Sequence, residues 1–402
     1  MINQSNITLK ELDKVYSNKN PSFFVKNLNN KKKIKKLINT RIDFLLKLKL
    51  TKKNFQNAEL LDLGCGSGQN TIVFDYLGAR CTMVEFNKNS FNNAKKLFKN
   101  YSKKKFKIIN KDLFKFRTRK KFDIVVSNGV AHHTYDVKKN IQLACKYVKK
   151  GGFLILGVCT PEGWFQRNLQ RAILFQVSNS SKEIIQNAKI LFPKHLSESK
   201  KYGLRTIDEV IFDTYINPKI NCISFTDIKK IFNKNKILDF ASLNYEKNIQ
   251  NFINPNYEQQ KQSGIKNVTL NNLNLSPIHE FSIANYNFKQ KSFFKTYKLI
   301  SKSLKNVVEQ VNDIDSKTKI NFSSKNLLKL SDKINKGLKV NLIDNSYVLN
   351  FIKEIKKIFD ILSLKETKNI KFKKIQKTLR INKNLFKGTC GVGMNYFVGY
   401  KR

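Results

Sequence analysis

The chain has 402 residues, 41% of them hydrophobic, which excludes a disordered chain and allows one large domain or two ordinary ones. No apolar run approaches a membrane span, residues 1–6 lack the apolar core of a signal peptide, and the six cysteines contain no C-x-x-C pair. The expectation is a cytoplasmic protein with reduced thiols and neither a zinc site nor a disulfide framework. The formal charge of +48 would suit nucleic acid or an anionic membrane surface, but only nine of the 77 basic residues are arginine. Lysine spread along the whole chain reads as a solvated surface of the kind an AT-rich genome imposes.

Residues 1–57 lack glycine and carry Ile34, Leu37, Ile38, Ile42, Leu45, Leu46 and Leu48 at helical spacing, which predicts one or two N-terminal helices. The run Lys31-Lys32-Lys33-Ile34-Lys35-Lys36 makes the second one basic and amphipathic. It is expected to pack on the core with its lysines in solvent, or else to touch a membrane surface or nucleic acid. From Ala58 strands and helices alternate, which implies a doubly wound parallel sheet. The strands expected are 58–63, 80–85, 106–109, 122–127 and 152–158, with helices near 69–77, 88–100 and 136–149. Residues 160–222 break this alternation with a polar, helical stretch. A helix over 225–233 follows, with Ser224 as its N-cap, and then a strand over 237–243. Residues 245–385 read as loop and helix, including 293–311 and 347–362, and residues 394–400 as a final strand.

The segment from Ala58 to Asn70 concentrates the chemistry. An apolar strand runs into Asp62-Leu63-Gly64-Cys65-Gly66-Ser67-Gly68, and the glycines are expected to let the backbone approach a ligand closely before a helix that opens near Gln69. The dinucleotide fingerprint G-x-G-x-x-G would need glycine where Gln69 stands, and the phosphate-loop Gly-Lys-Ser/Thr is absent.

What stands here resembles the first motif of the class I S-adenosylmethionine-dependent methyltransferases. The resemblance runs over residues 58–158 in order and spacing. Glu85 ends the second strand where such a cofactor's ribose needs a carboxylate, and Phe86 can lie on its adenine. Asp112 and the Leu113 N–H match the positions that hold the adenine edge; read alone, Asp112 is equally a loop residue capping the next turn. The fourth strand leads into Asn128-Gly129-Val130-Ala131-His132-His133, which resembles the family segment whose backbone faces the methionine moiety. Val148-Lys149-Lys150-Gly151-Gly152 resembles the family's turn before strand five, with Lys150 in place of proline.

The implied fold is a seven-stranded Rossmann-like sheet of order 3-2-1-4-5-7-6 with its last strand antiparallel, preceded by N-terminal helices. The cofactor core would be 58–244, with 160–222 as a lid, 245–385 as a helical insertion and 386–402 returning to the sheet. Asp62, Gly64, Cys65, Gly66 and Gly68 would cradle S-adenosylmethionine. His133, or His132, would take a proton from a hydroxyl or amine acceptor if one must be removed, or the pair would simply orient the turn. Past residue 158, Trp164, Phe165, Arg167, Arg171 and Tyr215 are the candidates for the acceptor pocket. An arginine there would suit an acidic small molecule.

Two readings compete with small-molecule methylation. An RNA methyltransferase would account for the charge, but no Pro-Pro follows strand four as base-amino methylation normally requires. Cys159, the only candidate for a cytosine nucleophile, reads as a buried strand-end thiol. The other is a non-catalytic, cofactor-binding assembly protein whose insertion does the work.

Overall fold

The computed structural model describes residues 2–18, 25–203, 206–218, 220–243, 281, 290–312, 322–338, 345–387, 390 and 393–402. At its centre is the seven-stranded sheet the sequence implies: β1 (Glu59–Leu63), β2 (Arg80–Glu85), β3 (Lys107–Asn110), β4 (Phe122–Asn128), β5 (Val148–Val158), β6 (Ile237–Leu243) and β7 (Asn395–Lys401). Their order is β3-β2-β1-β4-β5-β7-β6. The first five pair in parallel, whereas β7 runs antiparallel between β5 and β6, with Ile155 opposite Val398 and Ala241 opposite Val398 on the other side. β1 and β4, flanked on both edges, read as near-continuous apolar runs because strands covered on both faces need no polar alternation.

Three helices precede the sheet: α1 (Ile2–Asn18), α2 (Lys31–Lys47) and the single turn α3 (Lys52–Phe55). In α2, Ile34, Leu37, Ile38 and Leu45 are buried against the sheet while Lys31, Lys32, Lys33, Lys35 and Lys36 stay exposed. Its apolar stripe is therefore already covered, and the lysine run is a solvated face. Helices α4 (Ile72–Tyr76), α5 (Lys88–Tyr101) and α6 (Val137–Tyr147) cover the first half of the sheet, and α11 (Phe225–Lys234), capped by the Ser224 hydroxyl, covers the second.

Between β5 and β6 lie α7 (Pro161–Val177), α8 (Ser181–Leu191), α9 (Pro193–Gly203), α10 (Ile207–Ile211) and a π-helical turn, Phe212–Ile216. Between β6 and β7 the described residues form α12 (Gln290–Glu309), α13 (Ser324–Leu338), α14 (Asn345–Ser363) and α15 (Lys368–Ile381); residues 244–280 lie outside those described. The sequence reading treats these two stretches as separate insertions. In the structure they share one core, in which Phe165, Leu169 and Ile173 of α7 pack with Phe281, Phe351, Ile355 and Phe359. Leu385, Phe386 and Cys390 belong to that core too, so the return to the sheet begins at β7 and not at residue 386. No described helix is long and apolar enough to cross a membrane.

Candidate functional site

The carboxyl ends of β1, β2 and β4 meet at the glycine loop. The N–H groups of Gly64 and Cys65 both donate to the Val84 carbonyl, at 2.8 and 3.2 Å, which ends β1 and ties it to β2. The three glycines serve different needs. Gly64 has φ +81°, and a Cβ there would lie 2.7 Å from a methyl of Val130; at Gly68, with φ +74°, it would lie 3.1 Å from the Ala94 Cβ on α5. Both are demanded by protein packing. Gly66, with φ +56°, turns its N–H to Glu85 Oε2 at 2.8 Å.

Helix α4 starts at Ile72, not near Gln69, because the intervening side chains are engaged elsewhere. Gln69 Nε2 donates to the Val25 carbonyl and its Oε1 accepts the Val25 N–H, at 3.0 and 2.8 Å, as a neighbouring strand would. The Thr71 hydroxyl donates to Asp62 Oδ2 at 2.6 Å. Asp62 thus sits beneath the loop, where burial raises its carboxyl to about 6 against the opposing pull of that hydroxyl. Burial likewise pushes the Cys65 thiol well above its ordinary value, which leaves it unreactive.

Glu85 is 6% exposed and spans the loop, accepting from Gly66 N–H through Oε2 and from Asn87 N–H through Oε1 at 2.9 Å. Burial raises it to about 7 even against those two donors. Phe86 beside it is half-buried. Asn110 donates to the carbonyls of Glu85 and Phe86, so the ends of β2 and β3 are locked together. Beyond β3, Asp112 Oδ1 accepts the Phe114 N–H at 3.0 Å, the capping role open to it in the sequence, and Leu113 is buried. At the end of β4, Gly129 has φ +75° and donates its N–H to Gly157; a Cβ at Gly157 would collide with Asn128 Oδ1.

The two histidines differ. His132 is 2% exposed, its Nδ1 has no partner among the described residues, and burial holds its imidazole well below its usual range, hence neutral. It lies inside the turn, with its ring centre 6.3 Å from that of Trp164, and is not a proton acceptor facing a ligand. His133 stands at the outer side, with Nε2 at 3.7 Å from Asp213 Oδ1 and its ring edge-to-face with Tyr16 at 6.3 Å.

Tyr16 was not legible as a site residue. It reaches the site because Asn87 Nδ2 donates to Asp13 Oδ1 and Ser17 Oγ, at 2.7 and 2.9 Å, and so binds α1 across the end of β2. The Tyr16 ring then also meets Phe86 edge-on at 6.4 Å, and its hydroxyl accepts from Asn217 Nδ2 at 3.4 Å. Gln69, Asn87 and Asn217 were not legible for the same reason: each acts through a partner far away in sequence.

Of the five acceptor-pocket candidates, two stay near the histidines. Trp164 donates its indole N–H to the Gly393 carbonyl, and the Arg167 guanidinium lies 5.5 Å over the Trp164 ring while donating to the Cys390 carbonyl at 2.9 Å. The structure withdraws the other three. Phe165 is wholly buried against Phe281. The Tyr215 hydroxyl donates to Gln170 Oε1 at 3.0 Å and shares a hydrogen bond with His195 Nδ1 at 2.9 Å. Arg171, 1% exposed, donates through Nη1 to the carbonyls of Thr214, Tyr215 and Asn217, at 3.0 to 3.2 Å. Phe165 and Arg171 are interior because α7 is buried almost all round, and Tyr215 because its turn is held against that helix by Arg171. Cys159 is buried, its thiol against the Gly393 carbonyl, as expected of a strand-end cysteine.

Residues 61–156 match the protein family described as "Methyltransferase domain". A ubiquinone biosynthesis O-methyltransferase from Pelagibacter ubique (strain HTCC1062) is 28% identical over 111 residues, which cover 27% of this chain and 45% of that protein. The chain therefore spans less than half of the length of this curated relative. Among solved structures, magnesium protoporphyrin IX methyltransferase from Synechocystis PCC 6803 with bound SAM is 13% identical, with 59% of this chain and 84% of that one covered and a TM-score of 0.32. The N-methyltransferase NodS from Bradyrhizobium japonicum WM9 is 20% identical over 38% of this chain and 74% of that one, with a TM-score of 0.29. The strand order and the matched segment agree: residues 61–156 form a methyltransferase domain on a seven-stranded Rossmann-like sheet, as the resemblance to the class I S-adenosylmethionine-dependent methyltransferases implies.

Proposed function

We propose that this chain transfers a methyl group from S-adenosylmethionine to an oxygen or nitrogen nucleophile of a small molecule. The donor set at the strand ends fits the cofactor. Glu85 is a buried carboxylate able to accept from a ribose diol, with the Gly66 backbone beside it. Asp112 and the Leu113 N–H are at the position for an adenine edge, and Phe86 for its face. Asn128 and Gly129 end β4 beside the loop formed by Asp62, Gly64, Cys65 and Gly68, on the side that would face the amino-acid end. When bound, S-adenosylmethionine supplies a methyl group on a sulfonium whose sulfur keeps the bonding pair as the methyl leaves. The protein's part is to orient the acceptor, exclude water and take up a proton where the acceptor carries one.

The observation that carries the small-molecule reading is the enclosure of the acceptor side. His133 is only 8% exposed, closed in by Tyr16 from α1 and Asp213 from the π-turn. A buried His133 flanked by these two groups suits a compact acceptor better than a polynucleotide, which needs an open basic groove. Trp164 stands on the inner side of the same turn, with Arg167 over its ring.

Calorimetry with S-adenosylmethionine and its demethylated product tests the cofactor; failure to bind either would reject the reading. Labelled S-adenosylmethionine incubated with separate metabolite, lipid and RNA fractions then identifies the acceptor class. Label appearing only in RNA, and lost with added salt, would replace the small molecule with RNA. Binding without label in any fraction would favour the non-catalytic alternative.

A further inference from the structure

Helix α15 turns a mixed basic and apolar face to solvent. Its inner side is complete: Ile375 is fully buried in the helical core, Phe372 and Leu379 pack against that core, and Lys371, itself buried, donates through Nζ to the Leu362 carbonyl at 3.0 Å. At about 3.6 residues per turn, Ile370, Lys373, Lys374, Lys377, Arg380 and Ile381 share the opposite side, within about 120° of arc. All of them are exposed, and Ile381, at 66%, is the most exposed large apolar side chain among the described residues.

The carboxylates near this helix are engaged elsewhere. Glu366 pairs with Lys374. Glu354 of α14 accepts the backbone N–H groups of Lys383, Asn384 and Leu385 at 2.6 to 3.0 Å, which holds the chain just past the helix. Asp360 accepts from Ser324 Oγ and Lys356 Nζ, both at 2.7 Å, and Glu183 of α8 accepts the Asn179 N–H at 2.8 Å. Lys373, Lys377 and Arg380 have no acidic partner among the described residues.

A lysine run alone makes a solvated face, as on α2, where Ile34, the one apolar residue of the run, is turned inward and buried. On α15 two isoleucines stand outward among the cations, about three turns apart, and neither belongs to a core cluster. The phosphates of a polynucleotide would be met by the cations and leave the isoleucines in water, whereas a bilayer interface takes up both kinds of side chain.

We propose that this face of α15 docks on an anionic membrane surface, with Ile370 and Ile381 entering the boundary between headgroups and acyl chains and Lys373, Lys374, Lys377 and Arg380 lying among the anionic headgroups. The lysine stems reach along the apolar boundary while their ammonium groups stay at headgroup level. Docking of this kind is independent of methyl transfer.

The test is cosedimentation of the full chain with vesicles of phosphatidylcholine containing phosphatidylserine, and with vesicles of phosphatidylcholine alone. The chain is expected to bind the first and not the second. Lys373→Gln with Lys377→Gln should weaken binding about thirtyfold, at roughly fivefold per cation, and Ile370→Gln with Ile381→Gln should weaken it about tenfold or more. The charge-matched pair Lys32→Gln with Lys35→Gln on α2 should change it less than about twofold, because charges away from the docked face are screened. Every substituted side chain is exposed, so the fold is expected to be kept, and thermal melts check that. Equal losses from the α2 and α15 lysine pairs would mean that the overall charge of +48 does the binding, and would overturn the proposal. So would a wild type that binds neither vesicle, an isoleucine pair that binds like the wild type, or a preference for RNA over vesicles that the isoleucine pair leaves unchanged.

Discussion

Glu85 gives the sharpest test of the cofactor site, because its burial makes its charge depend on pH in the neutral range. The carboxyl is raised to about 7, chiefly by burial, and two backbone N–H groups oppose that rise without cancelling it. A ribose diol donates to the ionised form, so the binding-competent fraction of free protein is the ionised fraction, and apparent affinity scales with it. With a carboxyl near 7, that fraction falls from about nine-tenths at pH 8 to about one-tenth at pH 6, a tenfold loss of affinity or about 1.4 kcal/mol. Glu85→Gln should remove this dependence. It should also weaken binding at every pH, because its amide NH2 must face either the Gly66 or the Asn87 N–H, at a cost of about 1–3 kcal/mol. Titration calorimetry of wild type and variant from pH 6 to 8 reads both effects. Ionisation of the cofactor itself is common to the two proteins and drops out of the comparison. Parallel pH profiles would refute the argument, since they would mean that Glu85 is not the group whose ionisation the ligand needs.

Three further outcomes follow from the same geometry. Without ligand, Asp62 and Glu85 hold protons more tightly in the folded chain than their ordinary values of 3.8 and 4.5 allow. Their part of the stability is therefore full at low pH and declines as pH rises from about 4 to 7; Glu85→Gln should flatten that decline by about 2–3 kcal/mol in urea unfolding, and an identical pH profile would contradict it. Gln69→Ala removes both hydrogen bonds to Val25 and should cost about 1–3 kcal/mol, with faster proteolysis of residues 1–30 as a local readout. Arg171→Leu strips a buried donor from three carbonyls and should destabilise the chain by about 3 kcal/mol or more, whereas a surface lysine such as Lys32 changed to alanine should stay within about 0.5 kcal/mol.

Much of the sheet could be read from the sequence because parallel strands buried on both faces leave short apolar runs, and because each run here ends at a glycine or a polar turn. The seventh strand was legible for a different reason: the family resemblance implied its place, and the apolar ending of the chain supplied it. The ends of elements were less legible. Helix α4 starts at Ile72 because Gln69 and Thr71 bond to Val25 and Asp62, contacts that no local propensity encodes. The same limit explains the acceptor side. Arg171 and Tyr215 have the composition of a binding pocket, yet α7 is surrounded by helices contributed from residues 281–390, so both groups are consumed inside the helical core.

What sequence could not supply is the encounter of three distant segments at one turn. His133 and Asp213 stand in separate segments that resemble the family, and Tyr16 in none, so nothing in the sequence pairs the three. They meet because Asn87 ties α1 to the end of β2 and because Arg171 fixes the π-turn. Both ties are made by side chains that belong to neither the cofactor loop nor the acceptor side. The glycine loop and Glu85, which a short motif can encode, are on the proposed reading what holds the methyl donor. On the same reading the acceptor side depends on what anchors α1 and the π-turn, contacts that no short motif encodes.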